Sequence, residues 1–313
     1  MILSASRRTD IPAYYSDWFY NRIKEGFLYV RNPMNRHQIS EIGLSPEVVD
    51  CIVFWTKNPA PMLSGVDRLR DYSYYFQFTL TGYGTDVEIN VPSKKEVVIP
   101  AFRTLSERIG AEKVIWRYDP ILFTDQYTPA YHVKAFTQIA GALRGYTRKC
   151  VISFVDKYTK NRKNMDALKV YDMEEIQLAV FAGQLCDIAR QNGMEMASCA
   201  EQLDLASYGI RHSSCIDKKL VESIIGCQIN AGKDKNQRAE CGCAESIDIG
   251  VYDSCQHGCV YCYANHGLDV VTGNCRNHDP ASPLLCGKIE EKDKITVRQM
   301  KSVKEGQLRL FDL

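Results

Sequence analysis

Short apolar runs alternate with longer amphipathic stretches along most of this chain, and that alternation restricts it to an α/β architecture. Strands are predicted at Ile2–Ala5, Cys51–Trp55, Tyr74–Thr79, Lys113–Arg117, Cys150–Phe154, Met194–Cys199 and Ile247–Tyr252. Most are continuous apolar runs, the pattern of parallel strands covered on both faces. Helices are predicted between them at Ala13–Gly26, Lys94–Ile109, Pro129–Leu143, Met173–Gln191 and Asp217–Ile225. In Met173–Gln191, the residues Ile176, Val180, Leu185 and Ile188 recur near helical spacing, and Gly193 supplies a stop. Seven strands in this order predict a parallel βα barrel, partial or closed, with a cysteine-rich C-terminal part.

Polar residues follow the predicted strands. Ser6-Arg7-Arg8-Thr9-Asp10 comes after the first, Thr56-Lys57-Asn58-Pro59 after the second, and Thr79, Thr81 and Tyr83 after the third. Tyr118-Asp119-Pro120, Asp156-Lys157-Tyr158 and Cys199-Ala200-Glu201 follow the next three. In βα barrels the loops after the strands form the reaction face, so this rim is the expected active site.

The chain has 313 residues, a formal net charge of +1 and 25% charged residues, which favours neither a strongly basic nucleic-acid protein nor an acidic tail. No apolar run approaches membrane-spanning length, and the first residues lack a signal-peptide layout. A cytoplasmic location without membrane contact is expected. In that reducing compartment thirteen cysteines argue for metal rather than disulfides. Cys51, Cys150 and Cys186 stand singly in apolar contexts and read as buried packing residues, while the other ten lie after position 198.

Cys255, Cys259 and Cys262 form a C-x3-C-x2-C run. Three thiolates at this spacing can hold three irons of a 4Fe-4S cluster and leave the fourth iron without a protein ligand. The competing reading is a zinc knot, to which His257 or His266 would contribute. The spacing, with Tyr261 before the last cysteine, resembles the cluster motif of radical S-adenosylmethionine (SAM) enzymes. In that superfamily the loop follows the first barrel strand, whereas here it follows the last, so the chain resembles a circularly permuted radical SAM barrel. The whole sequence also resembles the bacterial family called domain of unknown function 1848. That resemblance rests on Ser4-Ala5-Ser6-Arg7-Arg8-Thr9-Asp10-Ile11-Pro12, Phe54-Trp55-Thr56-Lys57-Asn58-Pro59, Arg117-Tyr118-Asp119-Pro120 and Asp248-Ile249-Gly250.

The radical SAM likeness implies that Cys255, Cys259 and Cys262 ligate a 4Fe-4S cluster and that SAM chelates the open iron. Gly258 would let the backbone turn around the cluster, and Tyr261 would lie against the adenine. The usual Gly-Gly-Glu type segment is replaced here by Ser6-Arg7-Arg8-Thr9-Asp10. Asp10 would accept from the SAM ammonium, and Arg7 or Arg8 would pair with its carboxylate. The alternative is that these three form ordinary rim salt bridges.

Cys199, Cys215, Cys227, Cys241 and Cys243 exceed the four thiolates a cubane needs, and Cys199, Cys215, Cys241 and Cys243 are the candidate ligands of a second 4Fe-4S cluster. The alternative is buried free thiols; Cys275 and Cys286 carry no assignment. Gly226–Lys233 is not a phosphate loop, because the glycine spacing is one residue too long and Asp234 replaces the hydroxyl residue. Lys157–Lys163 and Lys233–Arg238 are basic loops that would bind nucleic-acid phosphates or serve as solvated surface. Gln307-Leu308-Arg309-Leu310-Phe311 resembles the peptide that docks bacterial repair proteins onto the sliding clamp, or packs back on the core.

These features predict three parts: a barrel core at 1–254, a cluster-binding loop and cysteine-rich segment at 255–290, and a C-terminal extension at 291–313. The expected function is a radical SAM-type enzyme that abstracts hydrogen from an unidentified substrate, with nucleic acid or a nucleotide as one class. Its electrons would come from a reductant such as ferredoxin or flavodoxin. The alternatives are an iron–sulfur electron-transfer or sensing protein that does not cleave SAM, and a zinc-stabilised nucleic-acid-binding module.

Overall fold

The computed structural model describes residues 1–238 and 240–305. Its strands are β1 (Ile2–Ala5), β2 (Phe27–Asn32), β3 (Asn35–Gly43), β4 (Cys51–Thr56), β5 (Tyr74–Thr79) and β6 (Val114–Ile121) in the first part of the chain. They continue with β7 (Lys149–Phe154), β8 (Glu195–Cys199), β9 (Arg211–Ser213), β10 (Ile247–Asp248) and β11 (Lys294–Val297). Eight of them form one parallel sheet in the order β10-β1-β4-β5-β6-β7-β8-β9. The continuous apolar runs end up here because both faces are covered; Phe54 and Phe76 on one face are as buried as Val53 and Tyr75 on the other.

The sheet is open rather than closed. Its edges are β10, of two residues, and β9, of three, and no register joins them among the described residues. One face carries the helices Ser16–Glu25, Ile99–Ile109, Pro129–Leu143 and Glu175–Gln191 over Phe54, Phe76, Trp116 and Ile152. Against the other face packs the connection between β9 and β10. Its Ile216, Val221, Ile229 and Ala244 meet Ile2, Val53, Ile115, Val151 and Ala197. That connection supplies apolar cover which a closed barrel would draw from its own strands.

Several local expectations change. The predicted helix Ala13–Gly26 is two, Ile11–Tyr14 and Ser16–Glu25, the second ended by Gly26 at φ 81°. A second, three-stranded sheet of order β11-β3-β2 was not foreseen, because β2 and β3 have mostly half-buried, mixed positions instead of an apolar run. On the helix Glu175–Gln191 the buried stripe is Ala179, Ala182, Leu185, Cys186 and Ala189, while Ile176 is 76% and Val180 47% exposed. The apolar periodicity picked two surface residues because small alanines make the close contact. The segment expected as an extension is bound in as far as it is described: β11 pairs with β3, and the Asp50 carboxylate accepts from Ser302 Oγ at 2.5 Å and Val303 N at 2.8 Å. Gln307–Phe311 lies outside the described residues. No helix among those described is long and apolar enough to cross a membrane.

Candidate metal-binding site

The strands of the main sheet release their polar residues onto one cavity of about 1000 Å³. Cys255, Cys259 and Cys262 line it, and so do Cys199, Cys215, Cys241 and Cys243. Both cysteine sets thus face one space. Cys51, Cys150 and Cys186 are buried in the packing, as their apolar contexts suggest.

The three-cysteine loop turns at Gly258, which has φ +66°; a Cβ there would stand 3.1 Å from Leu268 Cδ2 and 3.3 Å from Ile89 Cβ. Burial, then Asp10, Cys259 and Cys262, push the Cys255 thiol well above its ordinary value. Burial pushes Cys259 up to about 12, with Lys57 pulling the other way. Thiols held together in this way repel as thiolates, and a bound metal relieves that repulsion.

His257 is not available as a ligand. Its Nδ1 meets the Tyr14 hydroxyl at 2.9 Å and its Nε2 meets Asp10 Oδ2 at 2.7 Å. His266 pairs through Nδ1 with Asp253 at 2.8 Å. A single tetrahedral zinc brings its sulfurs to about 3.8 Å of one another, given Zn–S bonds of about 2.3 Å. Among the described residues, however, His37, Glu290 and Asp293 are the one set of three whose ligand atoms all lie within 4.8 Å. Both cysteine sets are wider than that. The His37 set also has Arg31 Nη1 at 2.8 Å from Asp293, which competes with a cation.

Asp10 supports the loop. Its carboxylate accepts from Ala13 N at 3.0 Å and Lys57 N at 2.7 Å and meets His257, so three of its acceptor positions are taken. Tyr261 is nearly buried: its ring packs with Tyr83, Val87 and Leu122, and its hydroxyl accepts from Lys57 Nζ at 2.7 Å and donates to Glu88. Sequence reasoning missed Glu88 and Lys94. Glu88 is 2% exposed and pairs with Lys57 and Lys94, each at 2.7 Å, while Thr81 Oγ1 donates to it at 2.9 Å. Burial opposes the charge, but the two ammonium groups hold Glu88 far below the usual carboxylate range. The lone acid within Val87-Glu88-Ile89 was the available signal. The neighbouring backbone straps the cysteine loop: Asn90 N donates to His257 O at 2.9 Å, and Val260 N to Val87 O at 3.0 Å.

The remaining motifs knit the rim. Asp248 accepts from Ser4 Oγ at 2.8 Å, Ser6 Oγ at 2.6 Å and Arg7 N at 2.9 Å, joining β10 to the loop after β1. Gly250 is required there, since a Cβ would fall 1.9 Å from Ser6 Oγ. Arg8 sits 4.0 Å from Asp248 and over the Tyr252 ring. Arg7 stacks on Trp55 and has Asp234 at 4.0 Å; burial works against its charge, but Cys243 and Cys215 raise its pKa. Arg117 is paired with Asp119 at 3.0 Å and reaches Cys215 Sγ at 3.2 Å.

The second cysteine set converges. Cys199 Sγ and Cys215 Sγ are 3.1 Å apart, and Cys243 lies near enough to Cys215 and to Cys241 to shift their thiols. The Cys243 contact draws the Cys241 thiol down to about 7 against its burial. Cys275 instead contacts the Tyr15 hydroxyl at 3.1 Å, and burial pushes neighbouring Cys286 up to about 12. In the basic loops Lys157 pairs with Asp172 at 2.7 Å, Arg238 with Asp156, and Lys160 lies over Tyr252.

No curated protein matches this chain. Among solved structures, a protein from Bacteroides thetaiotaomicron provisionally named an alpha-L-fucosidase is similar at 12% identity and a TM-score of 0.27, over 74% of this chain and 85% of its own. A family model described as domain of unknown function (DUF1848) matches residues 2–264, which include the three-cysteine loop and all four motifs of the rim. The chain belongs to the DUF1848 family.

Proposed function

We propose that this protein is an iron–sulfur enzyme of the radical SAM type, with Cys255, Cys259 and Cys262 holding a 4Fe-4S cluster at the cavity. The observation that carries this reading is three thiols on one eight-residue loop, lining a large cavity at the rim of a parallel sheet. Strand order supports the permuted reading. If β10 stood first in the chain, the eight strands would run in chain order from edge to edge. The spread of the sulfurs beyond 4.8 Å and the committed nitrogens of His257 favour a cluster over one zinc ion.

When bound, a reduced cluster and SAM supply a 5′-deoxyadenosyl radical that takes a hydrogen atom from substrate. This chain's own residues shape the site. Asp10, His257 and Tyr14 fix the loop, and Lys57, tied to Glu88, brings positive charge beside Cys259. Arg8, the more exposed of the two rim arginines, is the residue we assign to the methionyl carboxylate. Tyr261 lines the cavity with Tyr83 and Leu122 packed behind it, an apolar backing that would keep water from that side. Anaerobic protein, reconstituted with iron and sulfide and reduced, is expected to convert SAM to 5′-deoxyadenosine, and Cys259→Ala to lose that product. Full cluster loading without 5′-deoxyadenosine would instead identify an electron-transfer or sensing protein.

A further inference from the structure

We infer that Cys199, Cys215, Cys241 and Cys243 form a second metal centre, a four-iron cluster with all four ligands supplied by the protein, bordering the same cavity as the three-cysteine loop. The inference goes beyond the loop assignment and does not depend on it. Four residues from the end of β8, the turn after β9 and the segment before β10 bring their sulfurs together, although 44 positions separate the first from the last (243 − 199). Cys199 Sγ and Cys215 Sγ are 3.1 Å apart, and Cys215, Cys243 and Cys241 continue the chain of contacts. Chance burial of four thiols would scatter them over the core, as with Cys51, Cys150 and Cys186.

Two arginines serve these sulfurs. Arg117 Nη1 donates to Cys215 Sγ at 3.2 Å, and the Arg7 guanidinium lies beside Cys243 and Cys215. The Arg7 Nη2 atom is buried with no partner. A buried guanidinium with an unused donor needs an anion, and a cluster ligated by four thiolates is one, with sulfide acceptors. Ile216 N also donates to Cys243 Sγ at 3.4 Å, the kind of backbone bond that tunes cluster sulfurs.

Cys199 and Cys215 are in contact, but no three of the four sulfurs lie within 4.8 Å of one another, so the four do not close round one tetrahedral zinc, whose sulfurs would all stand about 3.8 Å apart. The sulfurs border a cavity of about 1000 Å³, which leaves room for a group larger than one ion. Filled at every corner by thiolate, this centre exchanges electrons and binds no ligand, in contrast to the loop site.

Iron and sulfide are counted on anaerobically reconstituted full-length protein, as wild type, as the triple variant Cys255→Ala, Cys259→Ala, Cys262→Ala, and as Cys241→Ser with Cys243→Ser. About eight irons per chain are expected for wild type and about four for each variant. If only the loop site failed, wild type and the triple variant would both hold about four, and the second centre would stand. A folded triple variant without iron, or with a single zinc or a Cys199–Cys215 disulfide in place of iron, overturns the inference. Should the triple variant not fold, a wild-type count of about four that Cys241→Ser with Cys243→Ser leaves unchanged overturns it equally.

Discussion

At Gly258 the backbone enters the left-handed region with Leu268 and Ile89 already against the position a Cβ would take. Gly258→Ala is therefore expected to destabilise the protein by about 1–3 kcal/mol and to lower iron loading, read from urea unfolding and iron content. Unchanged loading would show that the turn does not govern the loop. Glu201 makes a different prediction. It accepts from Phe154 N at 2.7 Å, and burial raises its carboxyl to about 7. Its unfolded value is about 4.3. The folded state thus holds the proton more tightly, so this contribution is complete below about pH 4.3 and is lost as pH rises through about 7. Wild type should lose urea resistance relative to Glu201→Gln between pH 5 and pH 7, and parallel pH profiles would contradict the assignment. At this scale the sequence was informative about the cysteines and silent on their supports. Cysteine spacing is visible locally, but Glu88 acts through partners at positions 57 and 94, and its place between Val87 and Ile89 hints at burial without marking that pairing.

Among the elements, the four-residue helix Ile11–Tyr14 matters beyond its length, because its cap Asp10 also holds Lys57 N and His257. Asp10→Ala should cost about 3 kcal/mol by leaving buried partners unsatisfied and should reduce cluster retention. A loss near 1 kcal/mol, the value of a cap alone, would reduce Asp10 to a helix cap. Glu88→Gln leaves Lys57 and Lys94 without their counter-charge and is expected to cost about 3–5 kcal/mol in the same unfolding measurement. A neutral effect would mean that water already screens the triad. The parallel strands were readable because burial on both faces enforces apolar runs. β9 and β10 escape that rule: three and two residues are too short for a pattern. The β2–β3 hairpin escapes it because its half-buried positions mix polar and apolar residues.

For the whole molecule, the order of the sheet matters more than whether it closes. The connection between β9 and β10 covers one face of the open sheet and also carries Cys215, Cys241 and Cys243, so one segment supplies both that cover and three of the second cysteine set. The sequence could not reveal this, since closure depends on how a loop-rich stretch packs against distant strands. It did reveal that polar residues gather on one rim, and the four family motifs meet there around one cavity. The central claim is that the loop thiols leave one iron exposed to that cavity. Electron paramagnetic resonance of the reduced protein tests it most directly, in the Cys241→Ser, Cys243→Ser background so that one cluster is observed. Adding SAM is predicted to change the cluster signal, because a ligand reaches the open iron; an intact cluster whose spectrum is the same with and without SAM would contradict the account.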